Sequence, residues 1–158
     1  MMQKVAIFAD VQNIYYTVKQ SYQRHFNYNA FWQQATANRD VVAAFAYAID
    51  KGDSKQLGFQ QILRNIGFDV KLKPYIQRSD GSAKGDWDVG ITLDVIEYAP
   101  KVDVIILLSG DGDFALLLNK VDSVYHVQTE VYGVPALTAP TLIQAASHFV
   151  AIGNDLLL

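Results

Sequence analysis

Acidic side chains follow two apolar runs of the sequence and open one segment after a polar loop. Asp10 follows the first apolar run, Asp111 and Asp113 follow the fourth, and Asp88 begins the segment after the loop. Ligands of open parallel sheets bind outside the carboxyl ends of the strands, and crossover helices begin at that same edge. We therefore expect four carboxylates, contributed by three separate segments, to converge there.

Converging carboxylates indicate a particular class of metal ion. Carboxylates that lie close together repel one another and raise one another's pKa unless a cation lies between them. The chain has no cysteine, and its three histidines have no ligand spacing, so zinc sites built on thiolates are excluded. An all-oxygen set of ligands suits Mg²⁺ or Mn²⁺.

Each of these acids also has a structural alternative. Asp10, Asp86 and Asp113 could cap the helices that follow them, because aspartate is a favoured N-cap residue. Asp88 could complement a helix dipole, and Asp111 could shape a glycine-rich turn. The expected convergence on one edge is what favours the metal site.

Asp94 differs from the other acids in its place on the helix. It follows Asp88 by six residues, which puts it about 120° round the helix and ~9 Å along it. It cannot simply share the position of Asp88, and a structural role, such as pairing with a lysine, is favoured.

The elements that position these acids alternate between strands and helices. Strands are predicted over residues 5–8, 41–49, 68–72, 102–108 and 126–132, and helices over 13–23, 31–37, 55–66, 87–98, 114–121 and 141–148. Continuous apolar strands that alternate with helices are typical of a parallel sheet covered on both faces. The sequence predicts an α/β fold: a three-layer α/β/α sandwich with a mainly parallel central sheet of about five strands, formed by residues 1–158 as one domain.

Composition excludes several classes of protein. The chain has 158 residues, of which 51% are hydrophobic and 18% charged, so it is not intrinsically disordered. No run approaches the ~20 apolar residues of a membrane span, and the first ten residues do not resemble a signal peptide. With the absence of cysteine, this predicts a cytoplasmic protein that does not bind membranes.

The charge balance leaves nucleic acid open as a partner. Net charge is −3, but if four of the 16 acids hold a metal, the other 12 are matched by 13 basic side chains. Lys73, Arg78 and Lys84 flank or occupy the polar loop, and Tyr15 and Tyr16 follow the first acid. Cations that hold phosphates and rings that stack on bases suit single-stranded RNA. The alternative is an ordinary solvated loop with core tyrosines.

Three motifs together resemble a known family. The chain has FADVQN at 8–13, KGDWDV at 84–89 and SGDGDF at 109–114. In this order they resemble the NYN domain family, which belongs to the PIN-like nuclease superfamily. The chain departs from the usual pattern in one extra residue before Asp88, in Gly112 where serine is common, and in His148 where an acid is frequent.

The resemblance implies a PIN-like fold and a divalent-metal-dependent ribonuclease. It implies metal-binding and catalytic roles for four carboxylates, namely Asp10, Asp88, Asp111 and Asp113. Supporting roles are implied for Asn13, which would steady the first loop or contact a phosphate, and for Asp94 and Ser109. Asp50 or Asp53 could add another acid. One ion would activate a water molecule for attack on phosphorus, and a second would stabilise the leaving oxygen.

Two other functions remain open at this point. The same fold could serve as a non-catalytic module that binds RNA or protein and regulates it. A phosphoacceptor domain is also α/β with acids at the sheet edge, but it needs paired acids after the first strand, where this chain has Asp10 alone. The RNA substrate, an oligomeric state and a protein partner are not predicted.

Overall fold

A six-stranded parallel sheet forms the centre of the protein. A computed structural model describes residues 2–74, 76–77, 83–84 and 86–158. The strands are β1 (Gln3–Asp10), β2 (Arg39–Asp50), β3 (Asp69–Pro74), β4 (Ile76–Gln77), β5 (Ala83–Lys84), β6 (Val104–Leu108), β7 (Gln128–Gly133) and β8 (His148–Ala151). The parallel sheet has the order β3-β2-β1-β6-β7-β8, and β4 pairs with β5 as a separate antiparallel ribbon.

Helices cover both faces of this sheet. They are α1 (Val11–Tyr22), α2 (Tyr28–Thr36), α3 (Ser54–Ile66), α4 (Asp88–Tyr98), α5 (Ala115–Tyr125) and α6 (Pro140–Ala145), with four short 3-10 turns at Ala99–Lys101, Gly112–Phe114, Pro135–Leu137 and Asn154–Leu156. None of the helices within the described ranges is long and apolar enough to cross a bilayer.

The central strand β1 separates two apolar cores. Val5, Ile7 and Ala9 pack into the core formed with α1, α2 and α3, whereas Ala6 and Phe8 pack into the core formed with α4, α5 and α6. All five are fully buried, because a parallel strand between two helical layers has no face toward water. The predicted three-layer α/β/α sandwich is confirmed.

The sheet has one strand more than predicted. The predicted helix over 141–148 ends at Ala145, and β8 then pairs in parallel with β7. Ser147 and Thr129 exchange hydrogen bonds of 3.0 Å between the hydroxyl of each and the backbone N–H of the other, and these bonds tie the chain to β7. The helix prediction for residues 146–148 is wrong because this pairing is not local in sequence.

The helices on the α1 to α3 face show which local signals were sufficient. Asp53 caps α3 by accepting a hydrogen bond from the backbone N–H of Gln56, and Gly67 ends it with a positive φ of 137°. Aspartate is a favoured residue at the N-cap, and glycine is favoured just after the end of a helix. In contrast, α2 begins three residues earlier than predicted, because the side chain of Asn27 accepts a bond from the Ala30 N–H and starts the helix there.

Candidate metal centre

Three carboxylates meet at the carboxyl edge of the sheet. Asp10 is the last residue of β1, Asp111 follows the neighbouring strand β6, and Asp88 is the first residue of α4. Each offers an oxygen atom that lies within 4.8 Å of the oxygens offered by the other two. We call these three side chains the carboxylate cluster.

Asp10 is the buried member of the carboxylate cluster. Its side chain is only 7% exposed. The Ser109 hydroxyl donates a hydrogen bond of 3.1 Å to Asp10 Oδ2. Asp10 stands at the N-cap position of α1, but its side chain makes no capping hydrogen bond there. Burial raises the pKa of Asp10 to about 6, because loss of water disfavours the charged form more than the Ser109 hydroxyl and the nearby backbone of Asn13 favour it.

Asp88 is less buried than Asp10, and its pKa is also raised. Burial is the largest cause, followed by a hydrogen bond with Asp111 and by the charges of Asp111, Asp86 and Asp10, which together raise the pKa of Asp88 to about 7. Asp10 and Asp88 therefore resist being ionised together without a cation. An all-oxygen cluster with this excess of negative charge fits a hard divalent cation such as Mg²⁺ or Mn²⁺.

The fourth predicted ligand, Asp113, lies apart from these three. Its side chain is exposed, and among the described residues the group close enough to share one ion consists of Asp10, Asp88 and Asp111. The backbone N–H of Asp113 donates to Asp111 Oδ1 at 2.9 Å. Asp111 thus shapes the turn after β6, which was its structural alternative, and it also belongs to the carboxylate cluster.

The turn that carries Asp111 is held from two sides. Asn13 Oδ1 accepts a hydrogen bond of 2.9 Å from the backbone N–H of Gly110, while the Gly110 carbonyl accepts one from the Ala139 N–H. A Cβ atom on Gly110 would lie 2.8 Å from the Leu137 carbonyl oxygen. Glycine is required here for close packing, a contribution of residues 137–139 that no local sequence signal revealed.

Asp94 of α4 forms an ion pair with Lys71 of β3. Its Oδ2 atom lies 2.7 Å from Lys71 Nζ and accepts a hydrogen bond of the same length from the Tyr47 hydroxyl. Burial and the neighbouring Asp94 raise the pKa of Tyr47. The ion pair is the lysine pairing expected for Asp94. The role of Tyr47 was missed, because the residue is 47 positions away in sequence.

The remaining acids near this edge cap and shape local turns. Asp50 Oδ1 accepts from the backbone N–H of Gly52, and Asp53 caps α3. Asp86 was expected to cap α4, but the residue at the cap position is Trp87. Instead, Asp86 Oδ1 accepts from the backbone N–H of Asp88 at 3.3 Å. None of these carboxylates belongs to the group of three that could share an ion among the described residues.

The basic residues predicted to hold RNA are described only in part. Lys73 Nζ donates a hydrogen bond of 3.0 Å to the carbonyl of Asp86 and lies 4.5 Å from the centre of a Trp87 ring. Arg78 lies outside the described residues, and Lys84 is described only as a position in β5.

Known proteins resemble this chain in sequence and in structure. A family model for the NYN domain matches residues 4–153. The low amplitude and bright protein LabA of Synechococcus elongatus is 30% identical over 125 residues, which are 70% of this chain and 63% of that protein. The chain therefore spans less than two thirds of that relative's length.

Two solved structures also match. A protein of unknown function from Vibrio parahaemolyticus is 58% identical, with a TM-score of 0.95 over 99% of this chain and 97% of that one. Ribokinase from Giardia lamblia is 11% identical, with a TM-score of 0.50 over 94% of this chain and 57% of the ribokinase. This second match reflects a shared α/β fold alone.

Proposed function

The chain belongs to the NYN domain family, and from this membership we propose that it is a divalent-metal-dependent ribonuclease that hydrolyses phosphodiester bonds of RNA. One observation carries the proposal, namely the meeting of Asp10, Asp88 and Asp111 within 4.8 Å at the edge where parallel sheets bind ligands. RNA is accordingly the proposed partner, and the cytoplasm the proposed location.

The carboxylate cluster would hold Mg²⁺ or Mn²⁺. A divalent cation bound there supplies Lewis-acid chemistry, by making a water molecule more acidic and by offsetting negative charge on a phosphate. Two raised pKa values support this assignment, because a bound cation favours the charged form that burial and the neighbouring acids disfavour. Asp113 completes the proposed catalytic set from an exposed position on the same turn.

The surrounding residues position the cluster and hold the substrate. Ser109 donates to Asp10 and its hydroxyl accepts from the backbone N–H of Asp111 at 3.2 Å, so one buried side chain links two acids. Asn13 links α1 to the turn that carries Asp111. Lys73, with Arg78 and Lys84, is proposed to bind phosphates of the RNA strand.

The proposal is tested by incubating the pure protein with labelled single-stranded RNA in Mn²⁺, in Mg²⁺ or in EDTA. We expect cleavage with a divalent cation and none in EDTA. RNA that is bound but never cleaved under any of these conditions would overturn the nuclease proposal and support a non-catalytic binding module. Cleavage that persists in excess EDTA would overturn the role of the metal.

A further inference from the structure

A cavity of about 660 Å³ lies beside the carboxylate cluster, between α1 and α3. Val11, which directly follows Asp10, is part of its wall, and so are Ala48 and Ile49 at the carboxyl end of β2. It therefore opens at the same edge of the sheet as the carboxylate cluster. Its volume falls within the range of roughly 300–1,000 Å³ that is typical of small-molecule sites.

Two residues with polar side chains in the cavity wall are almost fully buried. Gln60 is 3% exposed and Tyr28 is 7% exposed. No hydrogen bond joins either side chain to another described residue. Among the described residues, no side-chain polar atom that is fully sealed from solvent lacks a partner, so the Gln60 amide and the Tyr28 hydroxyl, which belong to residues of the cavity wall, keep some contact with solvent. Such groups favour a ligand that offers complementary donors and acceptors.

Aromatic rings form the outer part of the same wall. Tyr15 and Tyr16 are exposed and contact each other edge to face at 5.3 Å, and Tyr15 stacks on His25 at 6.0 Å. Because both tyrosine rings are partly exposed to solvent, they are not simply part of the packed core. They offer faces on which a planar heterocycle can stack.

The charges around the opening are mainly positive. The described residues of the cavity wall include three lysines, Lys19, Lys51 and Lys55, and one aspartate, Asp53. Asp53 already accepts a hydrogen bond from the first turn of α3. Lys19 Nζ donates to the Tyr15 hydroxyl at 3.3 Å, which places its charge at the aromatic wall. This combination of cations, rings and a buried amide is complementary to a nucleotide.

We infer that this cavity binds one nucleotide of the RNA strand next to the carboxylate cluster, with the base stacked on the tyrosines and its edge facing Gln60 and Tyr28. The inference rests on the proposed function, and it adds that the protein prefers some bases over others at this position. An RNA strand is the favoured occupant because the cavity wall includes Val11, which directly follows Asp10 of the carboxylate cluster.

The test measures binding in EDTA, where no cleavage is expected. Fluorescence anisotropy with short labelled oligonucleotides of A, C or U compares the wild type with Gln60→Leu, and Gln61→Leu on the exposed side of α3 serves as the matched control. We expect Gln60→Leu to weaken binding of the preferred base by roughly fivefold or more and to reduce the preference. Gln61→Leu should behave as the wild type.

A second variant guards against misfolding of the first. Tyr16 is 53% exposed, so Tyr16→Ala should fold, and it should weaken all oligonucleotides by roughly fivefold or more through lost stacking. Unchanged affinity and base preference in both variants would overturn the inference. Tighter binding of a free mononucleotide than of any oligonucleotide would overturn the assignment to a strand.

Failure of the inference can be told apart from failure of the nuclease proposal. If the wild type cleaves RNA with Mn²⁺ while both variants bind and cleave every sequence as the wild type does, the cavity assignment is wrong and the nuclease stands. If RNA binds with a base preference that Gln60→Leu removes, but no RNA is cleaved, the cavity assignment stands and the nuclease proposal is wrong.

Discussion

The acids of the ion pairs and the acids of the carboxylate cluster differ in where their positive partner comes from. Asp94 has Lys71 at 2.7 Å, and Glu130 has both terminal nitrogens of Arg39, at 2.9 and 2.6 Å. The carboxylate cluster has no lysine or arginine ion pair among the described residues. Where the chain supplies the cation, the acid joins elements of the fold, and where it does not, the acids are available to a cation from solution.

The largest expected effect lies within the carboxylate cluster. Asp111→Asn keeps the shape of the side chain but removes one negative charge, so the cleavage rate should fall by ~10²–10³, as for a lost electrostatic catalytic group. The fold should survive, because repulsion among the acids is relieved. Cleavage rates and melting temperatures are measured side by side, with Asp40→Asn at the opposite edge of the sheet as control. Wild-type cleavage by Asp111→Asn would contradict the assignment.

Metal binding at the carboxylate cluster should stabilise the folded protein against unfolding. A ligand that binds only the native state adds about 2.7 kcal/mol at a hundredfold excess over its Kd. Thermal melts in EDTA and in millimolar Mn²⁺ should therefore differ by several degrees for the wild type and for Asp40→Asn. The difference should shrink in Asp88→Asn, which lacks one ligand. An equal midpoint with and without Mn²⁺ in the wild type would argue against the metal centre.

The Asp94 ion pair should matter for stability more than for cleavage. Asp94→Asn keeps an acceptor for the Tyr47 hydroxyl but leaves Lys71 without its charge partner, so we expect a loss of about 2 kcal/mol in the free energy of unfolding. Urea denaturation gives this loss, and the cleavage rate of the folded variant should stay near that of the wild type. A folded Asp94→Asn protein that cannot cleave RNA would move the reaction toward the middle of α4.

The smallest expected effect is a pH dependence of the metal-free protein. The folded-state pKa of Asp10 is about 6, above the ordinary value of 3.8 for an aspartate, so the folded state binds more protons than the unfolded state between these pH values. Stability in EDTA should therefore fall as the pH rises from about 5 to about 8, by about 1 kcal/mol from Asp10. Asp88, with a pKa near 7, adds in the same direction.

A matched variant and the metal provide the controls for this pH dependence. Asp10→Asn should flatten the profile, because the amide does not titrate. Excess Mn²⁺ should oppose the fall, since ligands bind metal when deprotonated. A metal-free wild type whose stability rises over this interval would contradict the raised pKa values.

The convergence of acids could be anticipated because it follows from sheet geometry. Asp10 and Asp111 end apolar runs, and parallel strands bring such ends to one edge, so residue type and order were sufficient. Asp113 was placed with them from the same motif, but its carboxylate is exposed, because the turn uses its backbone N–H to contact Asp111. Asp111 and Asp113 are only two positions apart, but Asp111 belongs to the carboxylate cluster whereas the Asp113 side chain is exposed.

The features that sequence could not supply depend on distant contacts. Hydrogen bonds between Ser147, just before β8, and Thr129 of β7 help to hold β8 against β7. The Tyr47 hydroxyl on β2 donates a hydrogen bond to Asp94 on α4. The cavity could not be predicted from the sequence either. Nothing in the sequence of α3 indicates that Gln60 is buried in a cavity wall. The sequence indicated that Tyr15 and Tyr16 could stack on bases. It could not show that they line a cavity, because the other wall is formed by α3, which is distant in sequence.

The position of β1 in the sheet has a consequence for the order in which the molecule is made. β1 lies between β2 and β6, so Asp10 meets Asp111 only after about one hundred further residues have been added to the chain. A ribosome-bound chain that ends before β6 carries Asp10 without its neighbours. The carboxylate cluster can therefore form, and can bind a cation through all three acids, only when synthesis is well advanced.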